Sequence, residues 1–320
     1  MLSQIRESNL SRLILYPIIA IIGATATGKT NLAFRLADFL KSEKGLESEF
    51  INADAFSLYK DLNIITAKPN AEEQKKYVFH QLNVLEVFEE ANVSVYQREA
   101  RKSITEIQNR GKLPILVGGS GLYINAALDN FEFPGTDPEI RNKYYSLLDE
   151  KGEDFIYNLL QEKDPESAKV IDKNNTRRIV RALEVIELTG KSFQAQLPNL
   201  EYFMPTFSFA IKMDLQTLEK AISIRTRQML GEGLIEEVEA LRDKAGVTAQ
   251  KAIGFKQVCS FLDNEISSEE LEAQISLATF QLAKRQLKWF KRDNRINWTD
   301  SKTDLEQIVH LLSTNCKLFN

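Results

Sequence analysis

The chain has 320 residues, of which 43% are hydrophobic and 27% are charged, as is ordinary for a globular protein. Its formal net charge of −4 means that any binding of nucleic acid must depend on local basic patches. The two cysteines, Cys259 and Cys316, are far apart, which argues against a disulfide scaffold and a zinc finger. No apolar run reaches membrane-spanning length, which argues against a membrane protein. We expect a cytoplasmic location.

The first predicted element is a buried strand, Ile18–Ile22, followed by the motif GATATGKT and an amphipathic stretch over 31–40. Strand, glycine-rich loop and helix in this order predict a phosphate-binding loop. Its amides converge on an anion, Lys29 adds a charge, and Thr30 offers a hydroxyl suited to Mg²⁺. The motif predicts a bound pyrophosphate or triphosphate, without identifying the molecule that carries it. The predicted contact residues are Gly23, Ala24, Thr25, Ala26, Thr27, Gly28, Lys29 and Thr30.

Strand and helix patterns alternate through the next part of the chain. Strands are predicted at 50–53, 80–84 and 113–117, and a helix at 94–108 with Ser94 as its N-cap. The alternation predicts an α/β fold, a parallel sheet flanked by helices. Because ligands of such sheets bind at the carboxyl ends of the strands, we expect the phosphate loop, Asp54 and the loop 118–121 on one edge.

The pattern changes after the segment FPGTDP at 133–138, where short helical patterns follow one another. They cover 138–150, 154–162, 165–171 and 176–189, and the last ends at Gly190. We therefore predict an all-helical insertion domain over 137–203 and a catalytic core formed by 1–136 and 204–320. In the second part of the core we predict a buried strand at 207–213 and then only helices, the last long one over 268–291.

Two features near the expected ligand edge allow more than one chemistry. The carboxylate of Asp54 is placed to hold Mg²⁺ through water, to act as a general base, or simply to cap a turn. The sequence GGSG at 118–121 forms either a second anion-binding nest with Ser120 as a donor, or a tight turn between strand and helix.

Basic residues cluster at two places. The first cluster is Arg177, Arg178 and Arg181, within one helical turn. The second follows the last long helix, interleaved with Trp289 and Phe290, and consists of Lys284, Arg285, Lys288, Lys291, Arg292 and Arg295. Basic residues mixed with aromatic ones suit contacts with RNA phosphates and bases, although a solvated helix face explains the charge as well.

A series of blocks resembles the bacterial tRNA dimethylallyltransferase family, also called isopentenyl-tRNA transferases. The blocks are GATATGKT (23–30), NADAFSLYKDLNIITAKPN (52–70), VSVYQREA (93–100), GKLPILVGGSGLY (111–123), TDPEIR (136–141), RRIVRALEVIELTGKS (177–192), MLGEGLIEEV (229–238), AIGFKQV (252–258) and LAKRQLKWFKR (282–292). The resemblance covers nearly the whole chain, and several blocks are far more specific than the phosphate loop.

The resemblance implies that the loop binds the diphosphate of dimethylallyl diphosphate, with Mg²⁺ as cofactor. The five-carbon group would pass to the exocyclic amine of the adenosine 3′ of the tRNA anticodon. Asp54 would take the amine proton, with Ser120 and Arg225 completing the catalytic set. The resemblance leaves open whether a nucleotide such as ATP also binds the loop.

The resemblance also implies contacts with the tRNA anticodon stem-loop, which the helical insertion would bind. We expect the enzyme to be a monomer. The implied contact residues are Asp54, Ala55, Phe56 and Ser57; Ser120 and Arg141; Arg177, Arg178, Ile179, Val180 and Arg181; and Lys251, Ala252, Ile253, Gly254, Phe255 and Lys256.

Five positions depart from the residues that the resemblance implies. Ala24 replaces a proline, which should be harmless, Ile65 replaces a glycine and Ser57 a glutamine, and Ala221 and Phe280 each replace an arginine. The last three changes remove polar or cationic contacts to diphosphate or tRNA.

Two other functions fit the phosphate loop. One is a small-molecule kinase in which Asp54 activates a hydroxyl, and the other is an RNA-binding relative of low activity. A kinase has little use for the basic helices, and an inactive relative should have lost Lys29, Thr30 or Asp54, all of which are present.

Overall fold

The computed structural model describes residues 16–131, 133–193, 200–300, 303–316 and 319. The chain divides into two compact units, one formed by the residues up to Leu128 together with those from Tyr202 onward, the other by Asp129–Glu201. The second unit begins before the predicted 137–203 because the side chain of Arg181 donates to the carbonyl oxygens of Pro134 and Gly135. The predicted insertion includes 194–199, which lie outside the described residues.

In its described part, the larger unit contains a six-stranded sheet of order β3-β2-β4-β1-β5-β6, with all neighbouring strands parallel. The strands are β1 (Ile18–Ile22), β2 (Ser48–Asn52), β3 (Phe79–His80), β4 (Leu113–Gly118), β5 (Thr206–Lys212) and β6 (Ile296–Asp300). The predicted α/β fold with a parallel sheet and flanking helices is confirmed.

Two predictions about the sheet need correction. The chain beyond 213 is not purely helical, because β6 pairs with β5 at the edge of the sheet. Strand β3 stops at His80 instead of reaching 84, because Gln81 and Asn83 adopt left-handed backbone angles, with φ of 58° and 56°. Such angles are incompatible with extended strand geometry.

Helices pack on both faces of the sheet. Those of the larger unit are α1 (Lys29–Lys44), α2 (Ala71–Lys76), α3 (Val93–Asn109), α4 (Gly121–Leu128), α9 (Leu215–Gly231), α10 (Leu234–Leu241), α11 (Phe255–Leu262), α12 (Ser268–Phe290) and α13 (Asp304–Asn315). The N-cap of α3 is Asn92 and not Ser94, because the Asn92 side chain accepts from the amides of Ser94 and Val95.

The order of the strands defines where ligands bind. After β1 the chain continues to β2, which lies toward one edge of the sheet. After β4 it continues to β5, which lies toward the opposite edge. In open parallel sheets the crevice at such a switch point, beyond the carboxyl ends of the strands, is the usual ligand site. The loops that follow β1 and β4 flank this crevice.

The smaller unit consists of α5 (Pro138–Lys151), α6 (Glu153–Lys163), α7 (Pro165–Val170) and α8 (Thr176–Thr189) in its described part. Its core contains Tyr144, Ile156, Leu160 and Leu183. As predicted, α8 ends at Gly190, which adopts φ of 66°, a conformation that costs glycine little. In the described residues, no helix is long and apolar enough to cross a membrane.

Candidate active site

The loop after β1 has the backbone of an anion-binding loop. Gly23 and Gly28 adopt φ of 135° and 85°, which favour glycine, and α1 begins directly after Gly28. The Thr27 hydroxyl and the Lys29 ammonium both donate to the carbonyl oxygen of Ala24, at 2.9 and 2.5 Å. No side chain caps the N-terminus of α1, and its first turn has no acidic residue. The helix therefore presents its amides and partial positive charge to the crevice.

Three charged side chains act on one another in this crevice. Burial lowers the pKa of Lys29 most and the nearby Arg225 lowers it as well, while Asp54 opposes the shift, and the resulting pKa is about 7. Burial also lowers the pKa of Arg225, again opposed by Asp54. The structure thus brings together three side chains from different elements. Lys29 comes from the first turn of α1, Asp54 from the loop after β2, and Arg225 from α9. Two cations and one carboxylate form a site that favours an additional anion.

Asp54 is held in a defined orientation. Its Oδ1 accepts hydrogen bonds from the amides of Phe56 and Ser57, at 2.9 and 3.4 Å. Asn52 fixes the same turn, because its side chain accepts from the Asp54 amide and donates to the Asp54 carbonyl oxygen. Oδ1 therefore caps the turn, and among the described residues Oδ2 accepts no hydrogen bond, so it is available to a substrate proton.

The loop after β4 forms a tight turn against the Asp54 loop. A Cβ on Gly118 would lie 2.2 Å from the Ala53 carbonyl oxygen, and one on Gly121 would lie 2.5 Å from Nε1 of Trp289. The Ser120 hydroxyl oxygen accepts from the Ala55 amide at 3.0 Å. The tight-turn interpretation of GGSG is therefore observed, while the Ser120 O–H remains able to donate to a ligand.

A glutamine that sequence reasoning missed joins the two loops. The side-chain oxygen of Gln286 accepts from the amide of Thr25 at 2.8 Å, and its nitrogen donates to the carbonyl oxygen of Gly119 at 2.8 Å. Arg225 in turn donates to the Thr25 hydroxyl at 3.2 Å. The available signal was a polar residue on the buried face of α12, between Ala283 and Phe290.

The implied tRNA contacts on α8 divide into exposed and buried residues. Arg177 and Arg178 are exposed, and the Arg178 guanidinium lies 5.8 Å from the centre of the Phe193 ring. Ile179 and Val180 are fully buried in the helical core, and the implied tRNA contact at these two positions stays a prediction. Their apolar groups face the neighbouring helices and not solvent.

Arg181 and Arg141, also implied as tRNA contacts, are engaged within the helical unit. Both pair with the buried carboxylate of Glu184, Arg141 at 3.1 Å and Arg181 at 2.9 Å. The Asp137 amide donates to the same carboxylate at 2.9 Å. These arginines hold the start of α5 against α8, whether or not they also contact RNA.

The stretch 251–256 shows the same division. Lys251 and Lys256 are exposed, and Ile253 is half-buried. Ala252 and Phe255 are buried in a core cluster, and their implied contact with tRNA stays a prediction. Gly254 is buried as well, and its φ of 108° explains the glycine at this position.

The positions that depart from the family pattern are mostly packed. Ser57 is buried beside Asp54, and Ile65 is buried in the cluster that contains Phe255. Phe280 packs against a small cluster that includes Ala24 of the phosphate loop, and Lys284 lies 4.9 Å above its ring. At Phe280, where the resemblance implies an arginine, the chain therefore has a packed aromatic residue with a neighbouring cation.

Comparison with known proteins identifies the family. A family model described as IPP transferase matches residues 57–293. The chain belongs to the IPP transferase family. The resemblance inferred from the sequence blocks is thereby confirmed.

Relatives of this IPP transferase carry the name tRNA dimethylallyltransferase. The one from Bifidobacterium adolescentis is 42% identical over 281 residues, covering 88% of this chain and 83% of the relative. The one from Thermobifida fusca is 44% identical over 285 residues, covering 88% and 89%. The predicted enzyme class is confirmed at this level of identity and coverage.

Solved structures of the same family share the fold. The full-length tRNA isopentenylpyrophosphate transferase from Bacillus halodurans is 32% identical, with a TM-score of 0.68, over 94% of this chain and 96% of that one. A eukaryotic dimethylallyltransferase acting on tRNA is 26% identical, with a TM-score of 0.79, over 94% of this chain and 79% of that one.

Proposed function

We propose that the protein transfers the dimethylallyl group of dimethylallyl diphosphate to the exocyclic amine of the adenosine 3′ of the anticodon in tRNA. Membership of the IPP transferase family supports this reaction. The observation that carries the proposal is the crevice where Asp54 faces Lys29 and Arg225 beside a phosphate loop. A base for the acceptor and cations for the leaving group thus occupy one site.

The phosphate loop, Lys29 and Arg225 bind the diphosphate. Loop amides and the N-terminus of α1 contact its oxygens, and the two cations compensate the charge that develops as the carbon–oxygen bond breaks. Bound diphosphate favours the charged form of Lys29, which burial alone disfavours. The Ser120 hydroxyl is placed to donate a hydrogen bond beside them.

Asp54 acts as the general base. The adenosine amine is a weak nucleophile because its lone pair is delocalised into the ring, so removal of its proton assists the attack. Oδ1 is committed to the turn, so Oδ2 takes the proton. The new nitrogen–carbon bond forms as the carbon–oxygen bond breaks, and diphosphate leaves. The acceptor base must be flipped out of the anticodon stack to reach this site.

The residues present fit a bound Mg²⁺. Thr30 offers a hydroxyl in the first turn of α1, directly after Lys29 of the phosphate loop. Such a sparse donor set suits Mg²⁺, which takes few protein ligands when phosphate oxygens and water supply the rest. Mg²⁺ held there would supply further charge neutralisation on the diphosphate.

The exposed cations of each unit bind the tRNA backbone. In the larger unit they are Lys251, Lys256 and the exposed residues of the last long helix and its end: Lys284, Arg285, Lys288, Lys291 and Arg292. In the helical unit they are Arg177 and Arg178. Such contacts make binding depend strongly on salt. We further propose that the enzyme acts as a monomer in the cytoplasm, where tRNA is found.

The test is transfer in vitro. Unmodified tRNA is incubated with the protein, Mg²⁺ and dimethylallyl diphosphate, and its nucleosides are analysed by mass spectrometry. We expect an adenosine heavier by one dimethylallyl group, next to the anticodon. Omitting dimethylallyl diphosphate or supplying ATP in its place should give none. Phosphorylation of a small molecule with ATP, and no prenylated adenosine, would favour the kinase alternative instead.

A further inference from the structure

Gln286 lies where the two loops of the crevice meet. It is almost fully buried on α12, and both of its side-chain polar atoms are used by backbone groups of other segments. The oxygen accepts from Thr25 in the phosphate loop, and the nitrogen donates to the Gly119 carbonyl oxygen in the loop after β4. These partners are 261 and 167 residues away in the chain.

The surroundings of Gln286 show that this contact is tightly fitted. A Cβ on Gly119 would lie 2.6 Å from the Gln286 nitrogen and 3.1 Å from the Gly23 carbonyl oxygen, so the glycine leaves room for the amide in this position. Burying an amide side chain is unfavourable unless its donor and acceptor are both paired, and here both are. An apolar residue would pack at this depth without that requirement.

The contact also reaches the charged groups. Gln286 fixes the peptide of Thr25, and the hydroxyl of the same Thr25 accepts from Arg225. The other end of Gln286 fixes Gly119, next to Ser120, whose hydroxyl holds the loop of Asp54. One side chain therefore connects the part of the site that faces the leaving group with the part that faces the acceptor base.

We propose that Gln286 is a positioning residue that sets the separation of the phosphate loop and the loop after β4, and so the reacting geometry between diphosphate and acceptor amine. This inference rests on the proposed function. It assigns Gln286 no contact with the reacting atoms. A displacement of about 1 Å between reacting groups lowers rates by on the order of 100-fold, so the effect should fall on the chemical step.

The test uses Gln286→Glu and Gln286→Met. An ionised glutamate keeps the acceptor for Thr25 but cannot donate to Gly119, whereas the protonated acid does both. Methionine matches the volume but makes neither hydrogen bond. The matched control is Gln281→Glu, the same change at an exposed position of α12. Circular dichroism and thermal melting establish that each variant is folded.

We expect the single-turnover rate of Gln286→Glu at pH 8 to be about 10- to 100-fold below that of the control. The ratio of the two rates should rise toward one as the pH falls toward 5.5 and the glutamate takes up a proton. Gln286→Met should lose rate by a similar factor at every pH. The side chains of Lys29, Asp54 and Arg225 are present in all variants, so a pH effect that comes from these groups alone would appear equally in Gln286→Met, which adds no charge.

Rates of both Gln286 variants within a few fold of the control would overturn the inference, as would a ratio that does not change with pH. Failure of the proposed function is recognised separately, because the unaltered protein would then form no prenylated tRNA. In that event, affinity for inorganic pyrophosphate still tests the arrangement of the loop. It should fall in Gln286→Met but not in Gln281→Glu, and equal affinities would again overturn the inference.

Discussion

Replacing Glu184 with alanine should loosen the helical unit. The Glu184 carboxylate is fully buried and accepts from the guanidinium groups of Arg141 and Arg181 and from the Asp137 amide. Its removal leaves two cations and an amide without their acceptor. Breaking a buried ion pair by removing one partner costs about 3–5 kcal/mol.

The structure places the expected cost at the lower end of that range. The side chains of Arg141 and Arg181 are 39% and 24% exposed, so water solvates them in part once the carboxylate is gone. We therefore expect a loss of about 3 kcal/mol. The matched control is Glu166→Ala in α7 of the same unit, where the side chain is 68% exposed and pairs with the exposed Lys169. A solvated pair of that kind contributes about 0–1 kcal/mol.

Hydrogen exchange followed by mass spectrometry measures this loss locally. Exchange of the α8 amides reports the free energy of opening of the helical unit, and does not require the two units to unfold together. A loss of about 3 kcal/mol corresponds to exchange roughly 100-fold faster in Glu184→Ala. In Glu166→Ala the rate should change by less than about 10-fold. Equal protection of α8 in the two variants would refute the assignment of Glu184 as the electrostatic centre of the unit.

Three further predictions concern the proposed activity. Asp54→Asn keeps an acceptor for the turn but no base, and should lower the single-turnover rate by about 100- to 10,000-fold with tRNA affinity nearly unchanged; a rate within a few fold of the parent would remove the base assignment. Because the pKa of Lys29 lies near 7 and bound diphosphate raises it, pyrophosphate binding should take up a proton above pH 7 and weaken as the pH rises toward 9. Calorimetry in buffers of different ionisation enthalpy measures this uptake, which should disappear in Lys29→Arg. Arg177→Ala combined with Arg178→Ala should reduce the slope of log affinity for tRNA against log salt concentration, in magnitude, by about 0.7–0.9 per lost contact. The control is Lys169→Ala, which removes an exposed lysine already paired with an acidic neighbour and should leave the slope unchanged. An unchanged slope in the arginine variant would exclude these arginines from the RNA interface.

The predictable parts of the fold are the elements whose formation depends on the residues within them and at their ends. The run Ile18–Ile22 is buried at every position, as its composition indicates. Helix α8 ends at the predicted residue because Gly190 provides the left-handed cap, and it begins at the predicted residue because the Asn175 side chain caps its first turn. Strand β6, Ile296–Asp300, was missed because its sequence INWTD is largely polar and suits an edge strand that is only partly buried. Its strand character depends on pairing with β5, which local sequence does not reveal.

The parts of the candidate site that belong to a recognisable sequence motif could be predicted. The phosphate loop and Asp54 were found because strand, loop and helix follow one another in the chain. Gln286 was missed because its partners come from distant segments, and no local pattern distinguishes it from a packed helix residue. The burial of Ile179 and Val180 was not predicted, because a contact stretch taken as a block includes the side chains that hold its helix in place.

The hydrogen bonds to Thr25 have a consequence for the order in which the protein becomes competent. The phosphate loop is synthesised well before its partners Arg225 and Gln286, which belong to α9 and α12 and follow Thr25 by 200 and 261 residues. A nascent chain that has only reached the helical unit therefore carries the phosphate-loop motif without its final constraints. Anion binding at full strength should arise only after α12 has left the ribosome and docked.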